Sequence, residues 1–307
     1  MTIDYRRLVE ACQVRPGSRV RLRDFDPADT CVPEFRSLGN SSLKLKAADV
    51  LEENRAALAA AQDLLWANDD WAVLVVFQAM DAAGKDGTIK HVMSGLNPQG
   101  CEVHGFRQPS EIELDHTWLW RYASKVPQRG RIGIFNRSYY EEVLVVKVHP
   151  EVLARQHLPA GPRGPAFWEA RCEDINCFER HLTRNGTVVV KFFLHLSKAE
   201  QRRRLLARLD DRTKLWKFSM DDVFDRAYWD DYMAAYQQML RSTSTEWAPW
   251  WVIPADHKYV ARALVAKILT AKIRDLKLKY PRLTPTELRQ LAKARREHAR
   301  GKGARGR

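Results

Sequence analysis

The sequence predicts an α/β fold: a parallel sheet covered by helices on both faces, with a basic helical lid. Three observations carry this. Short apolar runs recur at 72–77, 131–135, 187–196 and 250–253, too short and too continuously apolar for amphipathic helices or half-exposed strands. Segments of helical periodicity separate them, the alternation that builds a parallel sheet covered on both sides. The first run then passes through small residues into TIKHVMSGL, which reads as a helix. Strand, glycine-bearing turn and helix make a frame in which backbone N–H groups and a helix N-terminus face an anion.

That frame, WAVLVVFQAMDAAGKDGT, departs from the common pattern G-x-x-x-x-G-K-[ST]. Gly84 and Lys85 stand in place after Ala83, but Ala79 occupies the first glycine position and Asp86 follows the lysine. The hydroxyl arrives two places late as Thr88, after Gly87. Asp81 strengthens the reading, because a carboxylate inside an anion site is costly unless a cation joins it.

Taken in order, residues 1–42 read as an irregular extension that wraps the core. Residues 43–282 read as the catalytic domain and 283–307 as a basic tail. Lys44 to Trp66 has the leucine and alanine spacing of an amphipathic helix. CEVHGF (101–106) alternates like a short strand, and Ser110 opens a helix with Glu111 and Glu113 in its first turn. RIGIF ends at Asn136-Arg137-Ser138-Tyr139-Tyr140-Glu141-Glu142, and residues just past a parallel strand's carboxyl end line the ligand crevice. Asn136, Arg137 and Glu141 are therefore expected near the phosphate loop.

A helix over 166–183 leads to the strand TVVVKFFLHL, after which Ser197 and Glu200 have capping-box spacing. The helix that follows carries Arg202, Arg203, Arg204 and Arg208, and its charge continues through Arg212, Lys214 and Lys217 into a stretch with Trp216 and Phe218. This is the expected lid, about 208–220. Met220 to Ser242 reads as a helix whose stripe, Phe224, Tyr228, Tyr232 and Tyr236, is core rather than a base-stacking platform. A last strand, 250–253, precedes a closing helix from Asp256 to about Lys279.

Of the net charge of +13, ten units fall between Ala271 and the end, where thirteen Lys/Arg meet three Asp/Glu. The end reads as a mobile, solubilising tail, with an anion-binding arm as the alternative. No apolar run approaches the ~20 residues of a membrane span, and the N-terminus lacks the apolar core of a secretion signal. Five scattered cysteines without C-x-x-C point to reduced thiols in a cytoplasm and to no zinc site.

These parts support phosphoryl transfer, which demands positioning and electrostatic stabilisation rather than a nucleophilic side chain. Asp81 and the polar Asn136 offer oxygens for Mg²⁺ (or Mn²⁺), Lys85 binds phosphate, and Arg137 with the lid bases neutralises the transferred group. Three readings stay open on the residues alone: transfer between a phosphate polymer and a nucleotide, an ATP-dependent nucleotide kinase, and a polyanion-binding protein without turnover.

QAMDAAGKDGTIKHVMSGLNPQG, GRIGIFNRSYYEEVLVVKVHPE, DRTKLWKF and STSTEWAPWWVIPADHK, in this order between about Leu51 and Tyr280, resemble the polyphosphate kinase 2 family. The resemblance implies Mg²⁺-dependent transfer of a terminal phosphoryl group between inorganic polyphosphate and a nucleotide, on a P-loop kinase-like, thymidylate-kinase-like fold. It assigns phosphate and metal binding to Asp81, Gly84, Lys85 and Gly87. The family's second motif usually reads F-D-R-S. Here Asn136 replaces the aspartate; it can hold a metal-bound water but carries no charge, so the metal assignment rests on Asp81. With Tyr-Tyr-Glu-Glu following, the motif looks like the family's third class, which uses both AMP and ADP, and Glu141 is then placed near the nucleotide phosphates or their metals. Arg208, Arg212, Lys214 and Lys217 match the family's lid, and Lys90, one helical turn past the loop, faces either a polymer channel or solvent. AMP, ADP, ATP and polyphosphate are the expected partners of a cytoplasmic homo-oligomer, dimer or tetramer. Neither membrane nor nucleic acid is expected.

Overall fold

β1, Ala72–Gln78, is buried along its whole length and sits in the middle of the sheet, which is why it has no polar side to alternate with. In this computed structural model, which describes residues 3–213, 215–217, 220 and 224–301, four further strands run parallel to it. They are β2 (Cys101–Gly105), β3 (Ile132–Asn136), β4 (Thr187–His195) and β5 (Trp250–Pro254), in the order β2-β3-β1-β4-β5. The main helices are α1 (Tyr5–Cys12), α2 (Asn40–Asn68), α3 (Lys85–Val92), α4 (Pro165–Arg184), α5 (Lys198–Leu209), α6 (Trp229–Thr243), α7 (Lys258–Arg274) and α8 (Pro285–Gly301).

The pleat of β1 divides the core. Val73, Val75 and Phe77 pack toward α2 and α7, while Leu74 and Val76 pack toward α4 and α6. α7 is apolar nearly all round because it is held between α2 and the sheet. The chain leaves β1 for the far edge, returns through β3, and then crosses β1 to lay down β4. Phe77 pairs with Asn136 on one side and Phe192 on the other, so the strands end together at this switch point. A crevice opens there outside the carboxyl ends of β1 and β3.

Several expectations change. The extension does wrap the core, but it is not wholly irregular. α1 lies within it, and Leu8, Cys12, Val32 and Phe35 are buried, because a helix with apolar positions four apart finds an unfilled side of α7 and β5 to cover. The segment after Ser110 is a single turn, Glu111–Leu114, closed by the expected capping box. α6 begins at Trp229 rather than at 220, and α7 stops at Arg274. Only Tyr232 and Tyr236 of the aromatic stripe are buried; Phe224 and Tyr228 precede α6 and are exposed. Residues expected as a mobile tail form α8, which opens on a reciprocal cap between Thr284 and Glu287. Among the described residues no helix is long and apolar enough to cross a membrane.

Candidate active site

The loop between β1 and α3 is shaped by two left-handed residues, Ala82 (φ 62°) and Gly84 (φ 100°). Glycine takes that conformation freely, whereas alanine holds it at a cost of about 1 kcal/mol, so surrounding contacts must impose it. Arg204 of α5 supplies them. Its guanidinium donates to the carbonyls of Ala82 (3.1 Å) and Ala83 (2.9 Å), and also to those of Ala255 (2.5 Å) and Asp256 (3.0 Å) just past β5. Glu200, one turn earlier, accepts from its Nε at 2.7 Å. Gln201 donates to the carbonyl of Asp81 at 3.2 Å. In a trans peptide the carbonyl and the next N–H point opposite ways, so pinning the Ala83 carbonyl turns the Gly84 N–H away from Arg204.

Lys85 opens α3, and its Nζ folds back to donate to the carbonyls of Ala79 (2.7 Å) and Met80 (3.5 Å). It is buried, and burial pushes its pKa down while Asp81 pulls it up. Thr88 is buried in the next turn of α3, and Lys90 is exposed.

β3 delivers the second half. Arg137 follows it in a left-handed conformation (φ 66°), its N–H bonded to the carbonyl of Phe77 at 3.2 Å. Strain of this kind is held only where neighbours over-determine it, and it gathers at functional sites. The Arg137 guanidinium meets Asp81 at 2.9 Å and Glu141 at 3.4 Å. Glu141, then Asp81, raise its pKa against its burial. Asn136 donates to Asp86 at 2.8 Å. The turn Tyr139–Val143 carries Glu141 into the crevice because its tyrosines are anchored beneath: both hydroxyls donate to Glu179, which pairs with Lys191 at 2.7 Å in the core. Glu142 turns the other way and pairs with Arg171 at 2.8 Å.

The structure thus brings Asp81, Lys85, Asp86, Asn136, Arg137 and Glu141 together. Arg208 is half-buried on the last turn of α5 and Arg212 is exposed beyond it. Lys214 and the side chain of Lys217 lie outside the described residues, and so does part of the expected lid.

Five contributors were not singled out from sequence. Arg204 and Gln201 shape the loop. Asp225 bonds to His149 at 2.9 Å, and burial, then the charge of Asp81, raise its pKa. Lys258 and Arg262 of α7 stand by Arg204, and an added Cβ at Gly87 would come within 3.3 Å of Arg262. Burial, then repulsion from Arg204, lowers the pKa of both. Lys258 lies a few residues beyond the carboxyl end of β5, so the strand-end rule that found Asn136 applied there also.

The chain as a whole is similar to known proteins. The model of the family described as polyphosphate kinase 2 matches residues 43–281. The chain is 52% identical over 77% of its length to an ADP-polyphosphate phosphotransferase of Rhodopseudomonas palustris, covering 82% of that protein. It is 45% identical over 88% of its length to an AMP/ADP-polyphosphate phosphotransferase of Meiothermus ruber, covering 94% of it. The crystal structure of polyphosphate kinase 2 from Arthrobacter aurescens TC1 superimposes with a TM-score of 0.80 at 38% identity, over 91% of this chain and 94% of that one. With matches that span both the loop and the strand-end motif, the chain belongs to the polyphosphate kinase 2 family.

Proposed function

We propose that the chain transfers the terminal phosphoryl group of inorganic polyphosphate to AMP and to ADP, forming ADP and ATP, reversibly and with Mg²⁺. The observation that carries this is Arg137, held between Asp81 and Glu141 at the mouth of a loop whose lysine is bonded, among the described residues, to loop carbonyls. A phosphate entering the loop offers Lys85 an anionic partner in exchange for neutral ones, which favours the exchange in a site of low dielectric. Arg137 then faces the charge that spreads over the transferred group, and an arginine in that role is worth a thousandfold or more in rate. Glu141 keeps the guanidinium in place, while Lys258 and Arg262 bring further positive charge for a polyanionic donor.

A hard divalent ion shared with substrate phosphates needs only one or two protein carboxylates, and Asp81 and Glu141 fit that requirement. When bound, the ion would neutralise phosphate charge. The names of the relatives from R. palustris and M. ruber support nucleotide acceptors, and the Asn136 motif supports use of both AMP and ADP. The reading includes a cytoplasmic homo-oligomer, whose assembly light scattering of the purified chain checks.

The test is nucleotide formation from AMP, and separately from ADP, with long-chain polyphosphate and Mg²⁺ as the only additions. ATP from both supports the reading. Reaction of ADP alone removes the AMP activity, and reaction of neither, with ATP instead phosphorylating a nucleotide, replaces the donor. Lys85→Ala should keep its fold and lose transfer.

A further inference from the structure

α8 stands apart from the chemistry described so far. All residues from Lys279 to Ala299 are exposed, so the helix covers no core and is not needed to bury one. Arg289, Lys293 and Arg296 follow one another at steps of four and three, which places them in a single row along one face. Neighbours at that spacing stand about 5–6 Å apart. Their local partners are weak: Arg289 donates one N–H to the carbonyl of Pro285 at 3.2 Å, and Lys293 lies 4.0 Å from Glu297 with both side chains well exposed. Leu291 lies on the opposite side of the helix.

We propose that this row is a second, non-catalytic docking site for the polyphosphate chain, an inference that rests on polyphosphate being the donor. A linear polymer with regularly spaced negative charge matches a linear row of cations. At a screening length of about 8 Å, neighbouring cations act on it together. A polymer held at α8 while its end searches for the loop is captured at a raised effective concentration, an advantage open only to chains long enough to reach both sites. α8 therefore acts on substrate capture and leaves the chemical step alone.

The experiment compares the full chain, a chain ending at Arg282, and a full-length variant with Arg289→Gln, Lys293→Gln and Arg296→Gln. KM and kcat are measured with polymers of about a hundred and about six phosphates, at low and high salt, the prediction being that both variants raise KM for the long polymer roughly 3- to 10-fold, change KM for the short one less than twofold, and leave kcat unchanged. The difference should shrink as salt rises. Equal shifts for both polymers, or none, would overturn the proposal. So would a change of oligomeric state in the truncated chain accompanied by equal kinetic losses, which would make α8 a subunit contact. Anisotropy of end-labelled long-chain polyphosphate without nucleotide separates this inference from the reading beneath it. Weaker binding by both variants of a chain that performs no transfer would keep α8 and sink the proposed activity. Transfer with binding indifferent to the variants would sink α8 alone.

Discussion

The amide of Asn136, at the end of β3, donates to the carboxylate of Asp86, the second residue of α3, at 2.8 Å. Two of the positions at which the chain departs from common phosphate-site patterns are therefore bonded to each other. Asp86 stands where a hydroxyl residue usually follows the lysine, and Asn136 where an aspartate usually precedes the arginine. An aspartate at both positions would set two carboxylates in contact, which disfavours ionisation of one of them.

Asn136→Asp alone should therefore lower activity at least tenfold at neutral pH and make it more dependent on pH, since one carboxyl of the new pair is forced to hold a proton. Asp86→Gly added to it should recover most of the loss. A double-mutant cycle on kcat/KM measures the coupling, and simple additivity would show that the contact has no functional weight.

Arg204 makes four bonds to backbone carbonyls and is almost wholly buried, so its loss leaves those acceptors unmet and frees Ala82 from its left-handed conformation. Arg204→Ala should cost about 2–4 kcal/mol of stability. Arg204→Lys, with fewer donors in a different geometry, should fold better yet still bind phosphate weakly. Urea titration reads the first effect and KM for polyphosphate the second.

Lys191 is fully buried in the central sheet, where it donates to Glu179 (2.7 Å), the hydroxyl of Tyr140 (2.8 Å) and the carbonyl of Thr243 (2.7 Å). Lys191→Met strands the Glu179 charge and should cost about 3–5 kcal/mol. Adding Glu179→Leu should recover only part of this, because Tyr139 and Tyr140 then lose their acceptor. Activity should fall with either change, since the same turn carries Glu141. Chemical denaturation and kcat test the two halves of this prediction.

His195 is buried at the end of β4 with Nδ1 unpartnered among the described residues, and burial pushes its pKa from 6.5 to about 4. The folded value lies below the unfolded one, so the unfolded chain takes up the proton first. Stability is then full above pH 6.5 and falls as pH drops from there to about 4, by roughly 3 kcal/mol at most. His195→Gln should flatten that part of the stability–pH curve in urea titrations.

The strands, the phosphate loop and the placement of Asn136, Arg137 and Glu141 beside it were legible in the sequence. Each is recorded locally: apolar runs without alternation, small residues around Gly84, and polar residues directly after a buried strand. Boundaries moved where tertiary contacts intervened, as when α1 found a surface to cover, or where caps set them, as at Glu111–Leu114. The roll of Arg204 could not be separated from those of Arg202, Arg203 and Arg208, because a run of bases on a helix carries no mark of which one faces inward. That choice, the bond between Asp86 and Asn136, and the pairing of Lys191 with Glu179 all join residues more than ten positions apart, or single out one among equivalents. Sequence by itself determined the period and turn chemistry of each element. Only the tertiary structure, by setting which strand ends lie side by side, decided which charges meet in the crevice.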